Sequence, residues 1–102
     1  MFKGWELRHA TRTLTSPQGD PVSLTKKEYV LLTALLEAPG RPLSRIHLMR
    51  ATRAHEDIFD RSIDVQVLRL RRKLEIHPSG KGLIKTERGF GYTLDAVVET
   101  LF

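Results

Sequence analysis

RSIDVQVLRLRRKLE, residues 61–75, reads as one helix with two faces that need opposite surroundings. At about 100° per residue, Ile63, Val67, Leu70 and Leu74 fall within a narrow arc, the 4-3-4 spacing of a stripe that seats on a core. Roughly opposite stand Arg61, Val65, Leu68, Arg69 and Arg72, with no acid among them. On this helix alone, a merely solvated basic face and a binding face fit equally well.

The charge outside the helix narrows the choice. The chain has 102 residues, with 17 Lys and Arg against 12 Asp and Glu, a net charge of +5. Residues 61–88 hold eight of the cations (Arg61, Arg69, Arg71, Arg72, Lys73, Lys81, Lys85, Arg88) against three acids (Asp64, Glu75, Glu87), so this stretch alone equals the whole excess. A basic region concentrated in this way is the electrostatic footprint of a nucleic-acid surface. An acidic protein or lipid headgroups would meet the same charge.

Length and composition set further bounds. A chain of this size makes one domain with a real core. It has no cysteine, which removes a disulfide framework, a thiolate zinc site and a thiol nucleophile, and which fits a reducing compartment. No apolar run approaches the roughly 20 residues that span a bilayer, and the N-terminus lacks the h-region of a secretory signal. The expectation is a soluble, cytoplasmic protein with no membrane partner.

Outward from the helix, the chain alternates signals of two periods. The opening FKGWELRHATRTLTSPQGDPVSLT carries short alternating runs and a strong turn at SPQGDP, giving two or three short antiparallel strands. Thr25 followed by Glu28 forms a capping box. Tyr29, Leu31, Leu32, Leu35 and Leu36 then make an apolar helix to about Glu37, stopped by APGRP. Ser44 is placed to cap a shorter helix, RIHLMRAT, whose Ile46 and Met49, with Leu48, are expected to pack inward. A loop leads to Asp60, which can cap the third helix, and Asp64 suits the positive end of its dipole. After EIHPSGKG, the segment LIKTERGFGYTL (residues 83–94) has strand character on both sides of Gly89 and Gly91, whose freedom at φ > 0 suits a hairpin tip. The closing DAVVETLF is either a last helical turn or a docked tail.

Three helices with a short second one, then a β-hairpin, is the order of a winged helix-turn-helix, an α+β fold. The third helix of such a fold enters the major groove, whose width of about 12 Å admits a helix. The basic face of residues 61–75 then has a function, and its apolar face a seat.

Here the residues themselves resemble a family. DRSIDVQVLRLRRKLE followed by IKTERGFGYTL, and preceded by LTKKEYVLLTALLEAPGRPLSR, is similar to the C-terminal effector domain of OmpR/PhoB-type response regulators of two-component phosphorelay systems. Three motifs stand in order and at the right spacing over residues 5–94. The resemblance implies a four-stranded N-terminal sheet, three helices and a C-terminal wing, acting in sequence-specific binding of double-stranded DNA for transcription regulation. It implies phosphate contacts from Arg61 and Ser62, base contacts from Val65, Gln66 and Arg69, backbone contact from Arg72, and wing contacts from Thr86 and Arg88. The helical wheel yields Arg61, Val65, Arg69 and Arg72 independently. Arg69 can be bidentate to guanine and Val65 can touch a thymine methyl. Leu68 either makes apolar base contact or lies at the edge of the core.

Departures from the family pattern are visible. Thr52 and Arg53 stand where an apolar-Trp pair often ends the second helix, and the following loop is slightly short, so a family contact with RNA polymerase through loop 51–60 is in question. Glu87 sets a negative charge beside Arg88 on the wing. Residues 1–102 read as one effector domain with the receiver domain absent, and tight binding would need a second copy on tandem half-sites.

No enzyme is read from the chain. His9, His47, His55 and His77 show no metal-ligand spacing, Ser44 and Ser62 sit at helix starts, and Gly80, Gly82, Gly89 and Gly91 form no phosphate loop. No cofactor is implied. The rival readings are a winged-helix protein-interaction module, against which a row of arginines in place of aromatic anchors speaks, and RNA binding, disfavoured by the deep, narrow groove of A-form RNA.

Overall fold

The first helix begins where its orphaned backbone donors find side-chain partners. Thr25 Oγ1 accepts from the Glu28 backbone N–H at 3.2 Å, and Glu28 Oε1 accepts from the Thr25 N–H at 2.8 Å, the reciprocal capping box expected from sequence. A computed structural model of the protein describes residues 2–53 and 62–96. Along it run β1 (Glu6–Arg8), β2 (Thr13–Thr15), β3 (Pro21–Ser23), α1 (Lys26–Leu36), β4 (Leu43–Ser44), α2 (Arg45–Arg53), α3 (Ser62–Glu75), a 3-10 turn at Pro78–Gly80, β5 (Ile84–Glu87) and β6 (Gly91–Leu94).

β1, β2 and β3 form an antiparallel sheet in that order, with Leu7 opposite Leu14 and Leu14 opposite Val22. The described residues thus carry three N-terminal strands, as the alternation suggested. Among the described residues the N-terminal sheet has three strands, not the four implied by family resemblance, and upstream of β1 there is an isolated bridge between Phe2 and Trp5. Both of those aromatic rings are buried, and the Trp5 indole N–H donates to the Ser79 carbonyl at 3.4 Å, tying the first residues to the turn after α3.

The stripe on α3 is buried as its spacing demands, with Ile63, Val67, Leu70 and Leu74 each at most 1 % exposed. They share one core with Leu31, Leu32 and Leu35 of α1, Leu48 of α2, Leu83, and Tyr92 and Leu94 of β6. Each fully buried leucine contributes about 1.5–3 kcal/mol. That core is what sets α3 on the scaffold with its other face free.

α2 departs from expectation in its facing. Ser44 Oγ accepts from the His47 N–H at 3.0 Å, so the helix starts at Arg45 as its cap requires. From that start Leu48 and Thr52 turn inward and Met49 is half-buried, while Ile46 is 58 % exposed. Inward packing of Ile46 is therefore corrected: it lies about 160° from Leu48 around the helix.

The hairpin β5–β6 pairs from Ile84 opposite Leu94 to Glu87 opposite Gly91. It gains a third strand that sequence did not reveal: β4 pairs with β6, Leu43 opposite Tyr92 and Ser44 opposite Gly91. The two tip glycines act differently. Gly89 has φ +72°, the conformation that favours glycine, whereas a Cβ on Gly91 would stand 1.9 Å from the Leu43 carbonyl oxygen. Gly91 permits close approach of β4 and does not supply a left-handed turn, which corrects the reading of both glycines as φ > 0 positions.

Candidate nucleic-acid interface

The free face of α3 presents Val65 (43 % exposed), Leu68 (46 % exposed), Arg69 and Arg72 to the surroundings. Nothing among the described residues covers it. Leu68 stands on this outer face and not at the margin of the core. Arg61 lies outside the described residues, and Ser62 is the first residue of α3. Thr86, on β5, and Arg88, at the hairpin tip, are exposed on the wing.

Gln66 does not join the face. It is only 5 % exposed, and among the described residues neither its amide nitrogen nor its amide oxygen has a hydrogen-bond partner. At about 60° from the apolar arc, it sits on the flank that packs inward. The structure therefore corrects the expectation that Gln66 faces base edges.

Asp64, the acid in the first turn of α3, is held in place. It accepts from Arg45 Nε of α2 at 2.9 Å and from the Tyr92 hydroxyl of β6. The Tyr92 hydroxyl bond, followed by Arg45, keeps the Asp64 carboxyl below the usual carboxylate range. Burial, with Asp64 as a further cause, pushes the Tyr92 phenol up, so it stays a neutral donor.

The wing is fastened to α3 by a residue that sequence counted only as charge. Arg71 donates to the Ile84 carbonyl from Nε at 3.1 Å and from Nη2 at 2.9 Å, and to Thr86 Oγ1 from Nη2 at 2.7 Å. Its guanidinium carbon lies 5.4 Å from the Tyr92 ring centroid, and that of Arg45 lies 5.3 Å away, both within cation–π range. Arg45 also donates its backbone N–H to the Phe90 carbonyl at 3.2 Å. The start of α2, the flank of α3 and the wing thereby meet around one tyrosine. Only the 4-3-4 stripe, which leaves Asp64 and Arg71 on a common flank, hinted at this in the sequence.

Elsewhere on the wing, Lys85 pairs with Asp95 at 2.8 Å, and Glu87 accepts from the Thr93 hydroxyl at 3.3 Å. The negative charge beside Arg88 is thus turned partly into a cross-strand contact. Among the described residues there is no cluster able to hold a metal ion, and no helix long and apolar enough to cross a membrane.

Residues 19–94, from the turn before β3 to the end of the wing, match the family described as transcriptional regulatory protein, C terminal. The chain belongs to that family. Its members are DNA-binding domains of transcription regulators, not enzymes. The regulatory protein VirG of Agrobacterium tumefaciens (strain 15955) is 52 % identical over 99 residues, covering 96 % of this chain and 37 % of that protein. VirG of Agrobacterium fabrum is 49 % identical over 102 residues, covering 99 % and 40 %. The chain therefore spans about two fifths of the length of these curated relatives. Among solved structures, the DNA-binding domain of Bacillus subtilis CssR superposes with a TM-score of 0.75 at 30 % identity, covering 88 % of this chain and 98 % of that one. The Klebsiella pneumoniae RstA DNA-binding domain, in complex with the RstA box, gives 0.78 at 28 % identity, covering 93 % and 94 %. The winged helix-turn-helix fold is that of these family members.

Proposed function

We propose that this family member reads double-stranded DNA in a sequence-specific way, as the effector domain of a two-component transcription regulator, with α3 in the major groove and the wing on the adjacent backbone or minor groove. The observation that carries the reading is the free face of α3, where Val65, Leu68, Arg69 and Arg72 are all exposed while the opposite stripe is fully buried. Arg69 and Val65 read base edges, Arg72 the flanking phosphate, and Thr86 and Arg88 extend the contact from the wing. Arg61 and Ser62 supply phosphate contacts at the start of the helix. The similar RstA DNA-binding domain, solved in complex with the RstA box, supports a DNA partner.

The finer assignments belong to the same reading. Residues 1–102 act as the effector domain, with no receiver within them. One domain makes few phosphate contacts, so it binds modestly and with steep salt dependence, and tight binding needs a second copy on tandem half-sites. Residues 51–60, of which 51–53 belong to the end of α2 and 54–60 lie outside the described residues, are the proposed contact for RNA polymerase, and the setting is the cytoplasm.

Selection of bound sequences from a random duplex library at about 150 mM salt tests the reading. The expected result is a defined, repeated motif. Recovery of no motif would move the function to a protein-interaction module on the same fold.

A further inference from the structure

Tyr92 is 5 % exposed, so it cannot touch a duplex laid on α3. Yet its hydroxyl donates to Asp64 in the first turn of α3, its strand is one half of the wing, and two arginines lie against its ring, one from α2 and one from α3. Arg71, one of the two, grips the other wing strand at Ile84 and Thr86. Each strand of the wing is therefore bonded to α3 through a different side chain, and both bonds converge on one ring.

A duplex contacted by a helix and a wing at once has a fixed distance between the two contacts. A wing free to pivot would lose orientational freedom on binding, and that loss subtracts from affinity. A wing already held at the right offset does not. Main-chain pairing of β4 with β6 holds the base of the wing. Beyond the core that the wing strands share with α3, the side-chain bonds of Tyr92 and Arg71 tie those strands to the reading helix.

We propose that Tyr92 is a positioning residue for duplex recognition: through its hydroxyl on Asp64, and with Arg71 against its ring, it sets the offset between α3 and the wing so that both engage one duplex. The inference rests on the DNA-reading function above. It requires that removing the Tyr92 hydroxyl act through the wing, so the loss must be coupled to the wing's own contact at Arg88.

The test is a double-mutant cycle on the duplex recovered by selection, using the wild-type chain, Tyr92→Phe, Arg88→Ala and the double variant, with a thermal melt of each. Tyr92→Phe is expected to lose the hydroxyl's bond to Asp64 and melt several degrees lower while still folded at the assay temperature, and to bind about tenfold more weakly because the wing loses its offset. Arg88→Ala is expected to weaken wild-type binding clearly but to change Tyr92→Phe little, because a wing off its offset has no contact left to lose. Arg71→Lys, which keeps the cation but loses the fork on Ile84 and Thr86, is expected to show the same coupling and decides the matter if Tyr92→Phe folds poorly. Multiplicative, uncoupled losses in both backgrounds, with wild type still selecting a motif, overturn the inference and leave the DNA reading intact. Wild type selecting no motif overturns both.

Discussion

Lys73 of α3 reaches back to Glu28 of α1, its Nζ 2.6 Å from Oε1 and 2.8 Å from the Ser23 carbonyl. Glu28 is 3 % exposed and at the same time closes the capping box on Thr25. One carboxylate therefore starts the first helix and anchors the far end of the reading helix. Burial by itself raises its pKa, but the bonds from Lys73 and from the Thr25 backbone together outweigh burial and hold it below its ordinary value.

The pH dependence follows from that direction. A carboxyl depressed in the folded state stabilises in full above its unfolded pKa of about 4.3, and the contribution disappears as pH falls through the folded value. Thermal melts from about pH 7 to pH 3 should show stability falling below roughly pH 4.5. In Glu28→Gln, which can still accept from Thr25 but not pair with Lys73, the melting temperature at neutral pH should drop by the equivalent of about 1–2 kcal/mol and the acid limb should flatten. An unchanged acid limb would show that other carboxylates govern it.

Arg69 and Arg72 are both exposed on α3, yet their losses should differ in kind. Arg69→Ala should cost about 1–3 kcal/mol and relax preference at one base pair. Arg72→Ala should weaken all sequences alike and lower the salt slope by about 1. Equal, sequence-independent losses in both variants would remove base reading from Arg69.

Gln66 buries an amide whose nitrogen and oxygen both lack a hydrogen-bond partner among the described residues. An unpaired buried polar group costs about 1–3 kcal/mol, and Met has nearly the same length and volume. Gln66→Met should therefore raise the melting temperature, roughly 4–8 °C for each kcal/mol gained in a domain of this size, and leave the selected DNA motif unchanged. Loss of preference at one position would put Gln66 back among the readers.

The stripe of α3 was legible because four large apolar residues at one spacing admit a single orientation. Gln66 is not legible in this way, because only family resemblance points it at base edges, although the wheel places it beside that stripe. Ile46 misled for a related reason: apolar character alone suggested burial, but Ser44 as the cap fixes where α2 starts and so which residues turn inward. β4 is two residues long, too short to carry any alternation. Arg71 and Tyr92 were visible only as a charge and a core aromatic, since their bonds run between elements 13 to 28 positions apart in the chain. Local period is written in sequence, whereas the joining of helix to wing is set by the core that brings them together.

The two wing glycines separate these levels experimentally. A Cβ at Gly91 would meet the Leu43 carbonyl at 1.9 Å, backbone against backbone, with no side chain able to yield. Gly91→Ala must therefore open the β4–β6 pairing, costing about 2–3 kcal/mol or more and loosening the wing from the start of α2. At Gly89 the space is open and only φ +72° resists substitution, so Gly89→Ala should cost about 1–2 kcal/mol and leave that pairing in place. Urea unfolding gives the two stabilities, and hydrogen exchange at the Leu43 and Tyr92 amides reports the pairing. Fast exchange in Gly91→Ala with protection kept in Gly89→Ala is the expected pattern, while equal protection in both would show that β4 can shift without leaving β6.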